Sequence, residues 1–247
     1  MSFPFTPAAP DRASDALSVL LLGCVEWRAI RALQEQLAFE IAGRADRHGY
    51  LLLCEHPPGL TVGRSGSHAH LPDEGELESR NLDVRWVRRG GGVLVHTPGQ
   101  LCCYAVVPAG GGPGELSPLG LRNGLAEGLR AACEDVRVPA DLTPDGAAVQ
   151  CRTGVVGQVG CAVRDGVSRW GAWLNVAPPM DLVRLAKPAD GRRLSCLSAA
   201  RHDAVAAPAV RTAVAARVAE ALGYETHHTF TGHPLLRRAR RPARVPA

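Results

Sequence analysis

The stretch that decides the fold is Arg89-Gly90-Gly91-Gly92-Val93-Leu94-Val95-His96-Thr97-Pro98-Gly99-Gln100-Leu101. Three consecutive glycines have no Cβ atoms, so the backbone here can pass very close to a ligand or to another strand. The β-branched run that follows predicts a short strand, which ends at His96 before a Thr-Pro-Gly turn. A channel with a glycine floor and one imidazole at its rim suits a long, thin and mostly apolar substrate.

The composition is that of a protein with one substantial core. The chain has 247 residues, of which 46% are apolar and 21% are charged. Its longest apolar run, residues 16–25, is too short for a bilayer, which takes about 20 residues to cross. A basic segment followed by an apolar stretch and a cleavage site, the pattern of a signal peptide, is not found at the N-terminus. We therefore expect a cytoplasmic protein that does not bind membranes.

Cysteines and basic residues set two further expectations. The eight cysteines mostly fall in apolar runs and lack C-x-x-C spacing, so they predict buried free thiols. Of 28 basic residues only Lys187 is a lysine, so a mechanism that needs a titratable lysine has one candidate. The arginine-rich segment 237–244 could bind phosphates, but a solvated tail is the simpler interpretation, and nucleic acid is not an expected partner.

Hydrophobic periodicity predicts helices that alternate with strands. Helices are expected over 26–45, 119–134 and 208–223, where apolar residues recur at three- and four-residue spacing. Strands are expected over 17–25, 50–54, 84–87, 93–95, 101–107, 147–149, 155–163 and 168–176. Asp165-Gly166 is typical of a hairpin turn. The pattern predicts an α/β (α+β) fold, a mixed β-sheet flanked by helices.

Four blocks follow one another along the chain: residues 32–37, residues 53–64 with Glu55-His56-Pro57-Pro58, residues 89–101, and Trp173-Leu174-Asn175-Val176. In this order they resemble the first helix, the Glu-His-Pro-Pro loop, the RGG-x-x-x-x-H-x-PGQL signature and the Ala-Leu-Asn-Val strand of the octanoyltransferase (lipoyl(octanoyl) transferase) family. The resemblance implies the catalytic-domain fold of the biotin and lipoate protein ligases. That domain is expected over 16–230, between a loose segment 1–15 and a basic tail 231–247.

The resemblance also implies an acyltransferase of lipoate biosynthesis. The family moves an octanoyl group from acyl carrier protein to a lysine on a lipoyl domain of 2-oxoacid dehydrogenase or glycine cleavage proteins. It does so through a cysteine thioester, with a nearby lysine that favours the thiolate, and no cofactor is expected. By position, the substrate would contact Arg89, Gly90, Gly91, Gly92, Val93, Leu94, Val95, His96, Gln158, Val159, Gly160, Gly171, Ala172 and Trp173.

The family's cysteine and lysine are both replaced at the matching positions. Counting forward from the Asn-Val strand places the cysteine at Ala189, whereas counting back from residues 195–198 places it at Lys187. The lysine falls at Val155 in one alignment and at Thr153 in the other. Cys196 is the candidate for a relocated catalytic nucleophile, because two arginines precede it and their charge favours a thiolate. The simpler interpretation is a buried cysteine that begins a helix.

Three functions therefore stay open. The chain is an octanoyltransferase that uses Cys196 or transfers the acyl group directly between two docked proteins. Alternatively, it is an inactive homologue that binds an acyl carrier or a lipoyl domain. An ATP-dependent lipoate or biotin ligase is disfavoured, because that reaction's adenylate-binding lysine has no counterpart.

Several aromatic residues have two interpretations. Trp170 and Trp173 would narrow an acyl tunnel or belong to the core. His56 is expected to brace its loop. The segment His68-Ala69-His70 has the spacing of a strand that could bind a metal, but further ligands are lacking, and no metal is expected.

Overall fold

The computed structural model describes residues 16–44, 46–111, 115–188 and 191–236. The strands are β1 (Ala16–Cys24), β2 (Gly49–Glu55), β3 (Gly59–Val62), β4 (Val84–Trp86), β5 (Val93–His96), β6 (Gln100–Val106), β7 (Asp141–Leu142), β8 (Ala148–Cys151), β9 (Gly154–Arg164), β10 (Val167–Asn175) and β11 (Thr226–Thr231). The helices are α1 (Trp27–Ala42), α2 (Glu74–Ser79), α3 (Pro118–Asp135), α4 (Met180–Val183), α5 (Leu197–Arg201) and α6 (Ala207–Ala221), with a 3-10 turn over His68–His70.

Two sheets form the framework. The large sheet has eight strands in the order β11-β1-β2-β6-β10-β9-β8-β7, and the small sheet has the order β4-β3-β5. Strand β1 runs parallel to β2 and β11, whereas the pairs from β2 to β7 across the large sheet are antiparallel. Helices α3 and α6 cover one face of the large sheet and α1 covers the other. The predicted mixed sheet flanked by helices is therefore confirmed.

Alternation along the central strands builds a core on both faces. Leu51 and Leu53 of β2 contact the α3–α6 side, whereas Leu52 and Cys54 contact the α1 side. The predicted apolar stripe of α1 is buried: Trp27, Ile30, Leu33, Leu37 and Ile41. All eight cysteines are free thiols, and six of them are buried, as expected. Burial raises the pKa of the Cys133 thiol to about 12, which keeps it protonated.

Six elements were not predicted: α2, α4, α5, β3, β7 and β11. All of these except β11 have only two to six residues, too few to show a period. All six residues of β11 are exposed, so it lacks the apolar alternation that marks a strand. The strand-like interpretation of residues 68–70 is wrong, because they form a 3-10 turn in which the ring of His68 packs on Trp86 at 4.8 Å.

Some expectations lie beyond what the structure describes or tests. Segment 1–15, Ala189 and the arginine-rich residues 237–244 lie outside the described residues. The domain boundaries at 16 and 230 stay predictions. None of the helices in the described part of the chain is long and apolar enough to cross a membrane. Within the same residues, no group of three or more His, Cys, Asp or Glu side chains is placed to hold a metal ion.

Candidate functional site

A cavity of about 270 Å³ lies between the glycine motif and strands β8 and β9. Residues of the motif form one wall: Arg89, Gly91, Gly92, Val93 and Leu94. The opposite wall consists of Ala147, Ala148, Val155, Gln158 and Val159, with Trp173 of β10 between the two walls. Side chains that are exposed or half-buried surround the opening: Ser65, His70, Asp145, Lys187, Pro188 and Arg192. The space beside Val93 is therefore open, and its walls combine apolar side chains with the polar side chains of Arg89 and Gln158.

A smaller void of about 20 Å³ adjoins this cavity. Six residues line both spaces: Val93, Leu94, Val155, Gln158, Trp173 and Pro188. The small void continues towards Val95, Val183, Ala186 and Leu194, which are apolar. Together the two spaces form a slot that is narrow at the inner end and lined mainly by apolar residues, with Gln100, Gln158 and Asn175 as polar side chains.

Arg89 holds the glycine motif in place from below. Its guanidinium is 2% exposed. It donates hydrogen bonds to the carbonyl oxygens of Thr61 (2.9 Å), Gly90 (2.8 Å) and Gly92 (3.0 Å). It also lies 5.0 Å from the ring centre of Trp173. Burial lowers the pKa of Arg89 to about 10, so the side chain stays charged at neutral pH.

The hydroxyl of Thr61 determines which nitrogen of His96 carries the proton. Thr61 Oγ1 accepts hydrogen bonds from Arg89 Nη2 at 2.9 Å and Nε at 3.3 Å, which uses both lone pairs. Its own hydrogen must therefore be donated to His96 Nε2, 2.9 Å away. The neutral imidazole then carries its proton on Nδ1, towards Cys102 Sγ at 3.9 Å. His96 has no free lone pair with which to act as a base.

His96 does not stand at the rim of the channel, contrary to the sequence-based expectation. It is 2% exposed and is not among the residues that line the cavity. Its ring packs on Trp27, with the ring centres 4.6 Å apart. Burial lowers the pKa of His96 to about 4, so the ring is neutral. The imidazole is a structural group beneath the glycine motif.

His56 braces its loop, as the sequence predicts. Its Nδ1 lies 2.6 Å from the carbonyl oxygen of Val25, and its Nε2 lies 2.8 Å from the hydroxyl of Tyr104. Trp27 packs edge-on against the same imidazole at 4.8 Å. These contacts tie the end of β2 to the start of α1 and to β6.

Besides His96, four of the predicted substrate contacts line neither space: Gly90, Gly160, Gly171 and Ala172. Ala172 belongs to the hydrophobic core, whereas the three glycines form close backbone packing. A Cβ atom on Gly160 would lie 2.7 Å from the carbonyl oxygen of Gly90, and one on Gly171 would lie 2.0 Å from that of Cys103. Gly90 donates a hydrogen bond to the carbonyl oxygen of Cys161 at 3.2 Å. These glycines let backbones approach each other rather than a ligand.

The candidate reactive positions are spread unevenly around the cavity. Val155 lines both spaces, so the position of the family lysine in one alignment faces the slot with an apolar side chain. Lys187 is exposed at the rim. Thr153 instead pairs with Ser195, their hydroxyl oxygens 2.7 Å apart. Cys196 is 5% exposed, immediately precedes α5 and does not line either space.

The rim contains residues that the sequence analysis did not assign to the substrate site. Arg192 and Asp145, which both line the cavity, form an ion pair at 2.9 Å. This hydrogen bond, followed by one from Thr143, holds the pKa of Asp145 well below its usual range. Ser65 and His70 come from the loop after β3. No local motif marks these residues, because the fold brings three separate loops together here.

Comparisons with known proteins agree on one family. Residues 29–191 match the family described as the lipoyl protein ligase A/B catalytic domain. An octanoyltransferase from Geotalea uraniireducens is 33% identical over 160 residues, which cover 65% of this chain and 71% of that protein. An octanoyltransferase from Geobacter metallireducens is 34% identical over 167 residues, 68% of this chain and 74% of that protein.

Solved structures show the same fold. A bi-partite lipoate protein ligase from Thermoplasma acidophilum aligns over 89% of this chain and 88% of its own, with a TM-score of 0.70 and 15% identity. A lipoate-protein ligase A bound with ATP aligns over 88% and 90%, with a TM-score of 0.66 and 16% identity. The predicted ligase-type fold and the resemblance to octanoyltransferases are both confirmed. This chain belongs to the lipoyl protein ligase A/B catalytic-domain family and is a homologue of the octanoyltransferases.

Proposed function

We propose that this protein binds an acyl group in the slot beneath the glycine motif and takes part in acyl transfer of the octanoyltransferase kind. The donor is an acylated carrier protein, and the acceptor is a lysine on a lipoyl domain of 2-oxoacid dehydrogenase or glycine cleavage proteins. The observation that carries the proposal is the open, mainly apolar slot, in a chain 33% identical to an octanoyltransferase. The cytoplasmic location stays a prediction.

Direct transfer between two docked proteins fits the residues of the slot best. The acceptor amine attacks the thioester carbonyl carbon, a C–N bond forms, the C–S bond breaks, and the carrier thiol leaves with the proton from the amine. The slot holds the acyl chain, so the two reactants meet in a fixed geometry. The buried guanidinium of Arg89 lies below the motif, and no carboxylate among the described residues pairs with it. Its field favours the negative charge that develops on the carbonyl oxygen.

A second candidate is binding without catalysis. It is favoured by Val155, which faces the slot where a lysine would be needed to activate a thiol. In that case the protein would hold an acylated carrier without passing the acyl group on. Both candidate functions require an acyl group to bind in the slot. They differ only in whether that group is then transferred to an acceptor.

The decisive experiment incubates this protein with octanoyl-acyl carrier protein and a lipoyl domain, followed by intact-protein mass spectrometry. Direct transfer predicts octanoylated lipoyl domain and no hydroxylamine-labile adduct on this protein. An adduct that disappears in Cys196→Ala would instead identify a relocated nucleophile. Saturable binding of the acylated carrier without product would support the second candidate. If the acylated carrier does not bind, both candidates fail.

A variant that fills the slot provides the control. Gly92 lines the cavity, has no positive φ, and a Cβ atom built there has no heavy atom within 4 Å. Gly92→Phe should therefore fold and lose acyl binding. Gly43→Phe, at the end of α1 with its nearest contact at 3.8 Å, adds the same side chain away from the cavity and should bind normally.

A further inference from the structure

We infer that Trp173 sets the longest acyl chain that the slot accepts. This inference rests on the proposed function, since it assumes that the slot binds an acyl group, and it adds the size limit of that group. The residue would act by direct contact with the end of the chain.

Trp173 lies where the two spaces meet. It lines both the cavity of about 270 Å³ and the void of about 20 Å³, and its side chain is buried, with 2% exposed. Most of the open volume is therefore on the side of the rim. An acyl chain that enters from the rim reaches the indole before it can extend into the core beneath β5 and β6.

The indole is held too tightly to move out of the way. Its six-membered ring lies against Gly160, where a Cβ atom would be 2.9 Å from Cζ3 and 3.2 Å from Cη2. Arg89 lies 5.0 Å from the ring centre, and the rings of His96 and Tyr104 lie at 6.0 Å and 6.1 Å. Tyr104 and His96 are themselves buried and hydrogen-bonded. A side chain packed on so many sides keeps one rotamer.

Trp170 is a second tryptophan on the same strand, β10, but its position does not allow it to limit the length of an acyl chain. It is also buried, but it lines neither space. Its ring stacks on Trp27 with the ring centres 5.5 Å apart and the planes inclined by 16°. Trp170 therefore belongs to the core, and it supplies a matched control for substitutions of Trp173.

The expected effect follows from the transfer of methylene groups out of water. Each buried methylene changes affinity about fourfold, as long as apolar space remains for it. In the wild-type protein, affinity should rise with chain length and then stop rising once the chain meets the indole. With Trp173→Ala, the vacated volume joins the cavity, so the rise should continue for several more carbons.

The test titrates the full-length protein with S-acyl pantetheines of four, six, eight, ten and twelve carbons by isothermal titration calorimetry. We expect Trp173→Ala to bind the longest probes at least about tenfold more tightly than wild type, relative to the shortest probe. Trp173→Leu, which leaves a smaller hole, should show a smaller shift in the same direction and keeps the test possible if the alanine variant does not fold. Trp170→Leu should leave the chain-length profile unchanged.

The outcomes separate the two proposals. If wild type and a folded Trp173 variant share one chain-length profile, the size limit is not set by Trp173, although the slot still binds acyl groups. A profile that shifts equally in Trp170→Leu would also overturn the inference, because the effect would then be a general loosening of the core. If neither wild type nor any variant binds a probe of any length, the proposed function itself fails.

Discussion

At the scale of single residues, Arg89 and His96 hold the glycine motif and the neighbouring strands in shape through buried hydrogen bonds. Arg89 donates hydrogen bonds to three backbone carbonyl oxygens, of which that of Gly92 also accepts from the backbone N–H of Gly63. It also orients the Thr61 hydroxyl, which in turn holds His96. His96, which the sequence analysis expects to contact the substrate, is here part of the support for β3 and β5.

Loss of this support should be costly. Arg89→Leu removes the buried hydrogen bonds to the carbonyl oxygens of Thr61, Gly90 and Gly92, and we expect it to lower the free energy of unfolding by about 3 kcal/mol. Equilibrium unfolding in urea measures this change. Arg88→Leu, on the exposed neighbour, should change stability by no more than about 0.5 kcal/mol. Equal effects of the two substitutions would show that the buried hydrogen bonds are not what matters.

His96 should make the protein sensitive to mild acid. Its pKa is about 4 in the folded state and about 6.5 when exposed, so between these values the unfolded chain binds more protons. Stability is therefore full above pH 6.5 and falls as the pH drops towards 4, by about 3 kcal/mol from this residue. Urea unfolding of wild type and His96→Asn across this range tests it. The variant should be less stable at pH 7 but have a shallower slope, and parallel slopes would contradict the prediction.

At the scale of elements, glycines determine how closely the helices pack. Gly124 and Gly128 of α3 face α6, where Cβ atoms would lie 2.8 Å from the carbonyl oxygen of Ala221 and 2.7 Å from Cα of Val218. These contacts involve backbone atoms, which cannot move independently of the helix. In the same way, the lack of a Cβ atom on Gly160 lets its backbone pack against that of Gly90 next to the slot. Glycines therefore allow close backbone packing both in the core and next to the candidate site.

A substitution in α3 should reveal this constraint. Gly128→Ala improves helix propensity by about 1 kcal/mol, but the new methyl group meets Val218 Cα and forces the helices apart. We expect a net loss of about 1–2 kcal/mol in the free energy of unfolding. Gly43→Ala, with its nearest contact at 3.8 Å, should stay within about 0.5 kcal/mol of wild type. If Gly128→Ala stabilises the protein, α3 and α6 are not in backbone contact.

At the scale of the whole molecule, the resemblance to octanoyltransferases implies a cysteine thioester and a nearby lysine, whereas the matching positions of this chain hold neither residue type. Val155→Lys together with Ala189→Cys restores both residue types by one count along the sequence, and Val155→Lys together with Lys187→Cys restores them by the other. We expect one of these double variants to acquire up to about one octanoyl group per chain from octanoyl-acyl carrier protein.

Intact-protein mass spectrometry before and after hydroxylamine measures this adduct. Val155→Lys alone is the matched control and should carry no labile adduct, because it has the cation without the thiol. If both double variants fold, by circular dichroism, and neither is acylated, then more than two residues separate this slot from a thioester-forming site.

Local patterns were sufficient for most of the framework. The period of α1, the continuous apolar run of β2 and the Asp165-Gly166 turn, where both residues have positive φ, are each encoded by neighbours in sequence. Membership of the glycine motif was a weaker guide to which residues contact the substrate. Gly90 and His96 were expected to contact it, but neither lines the cavity. The exposed strand β11 was missed because its pairing with β1 leaves no apolar period.

By itself, the sequence determined most of the strands, the three long helices and the family, because periodicity and motifs are properties of adjacent residues. Only the tertiary structure decided that Trp173, and not Trp170, faces the slot. It also decided that Asp145 and Arg192, 47 residues apart, meet at the rim. Such contacts depend on how whole elements pack against one another, and close packing selects among arrangements that local pattern cannot distinguish.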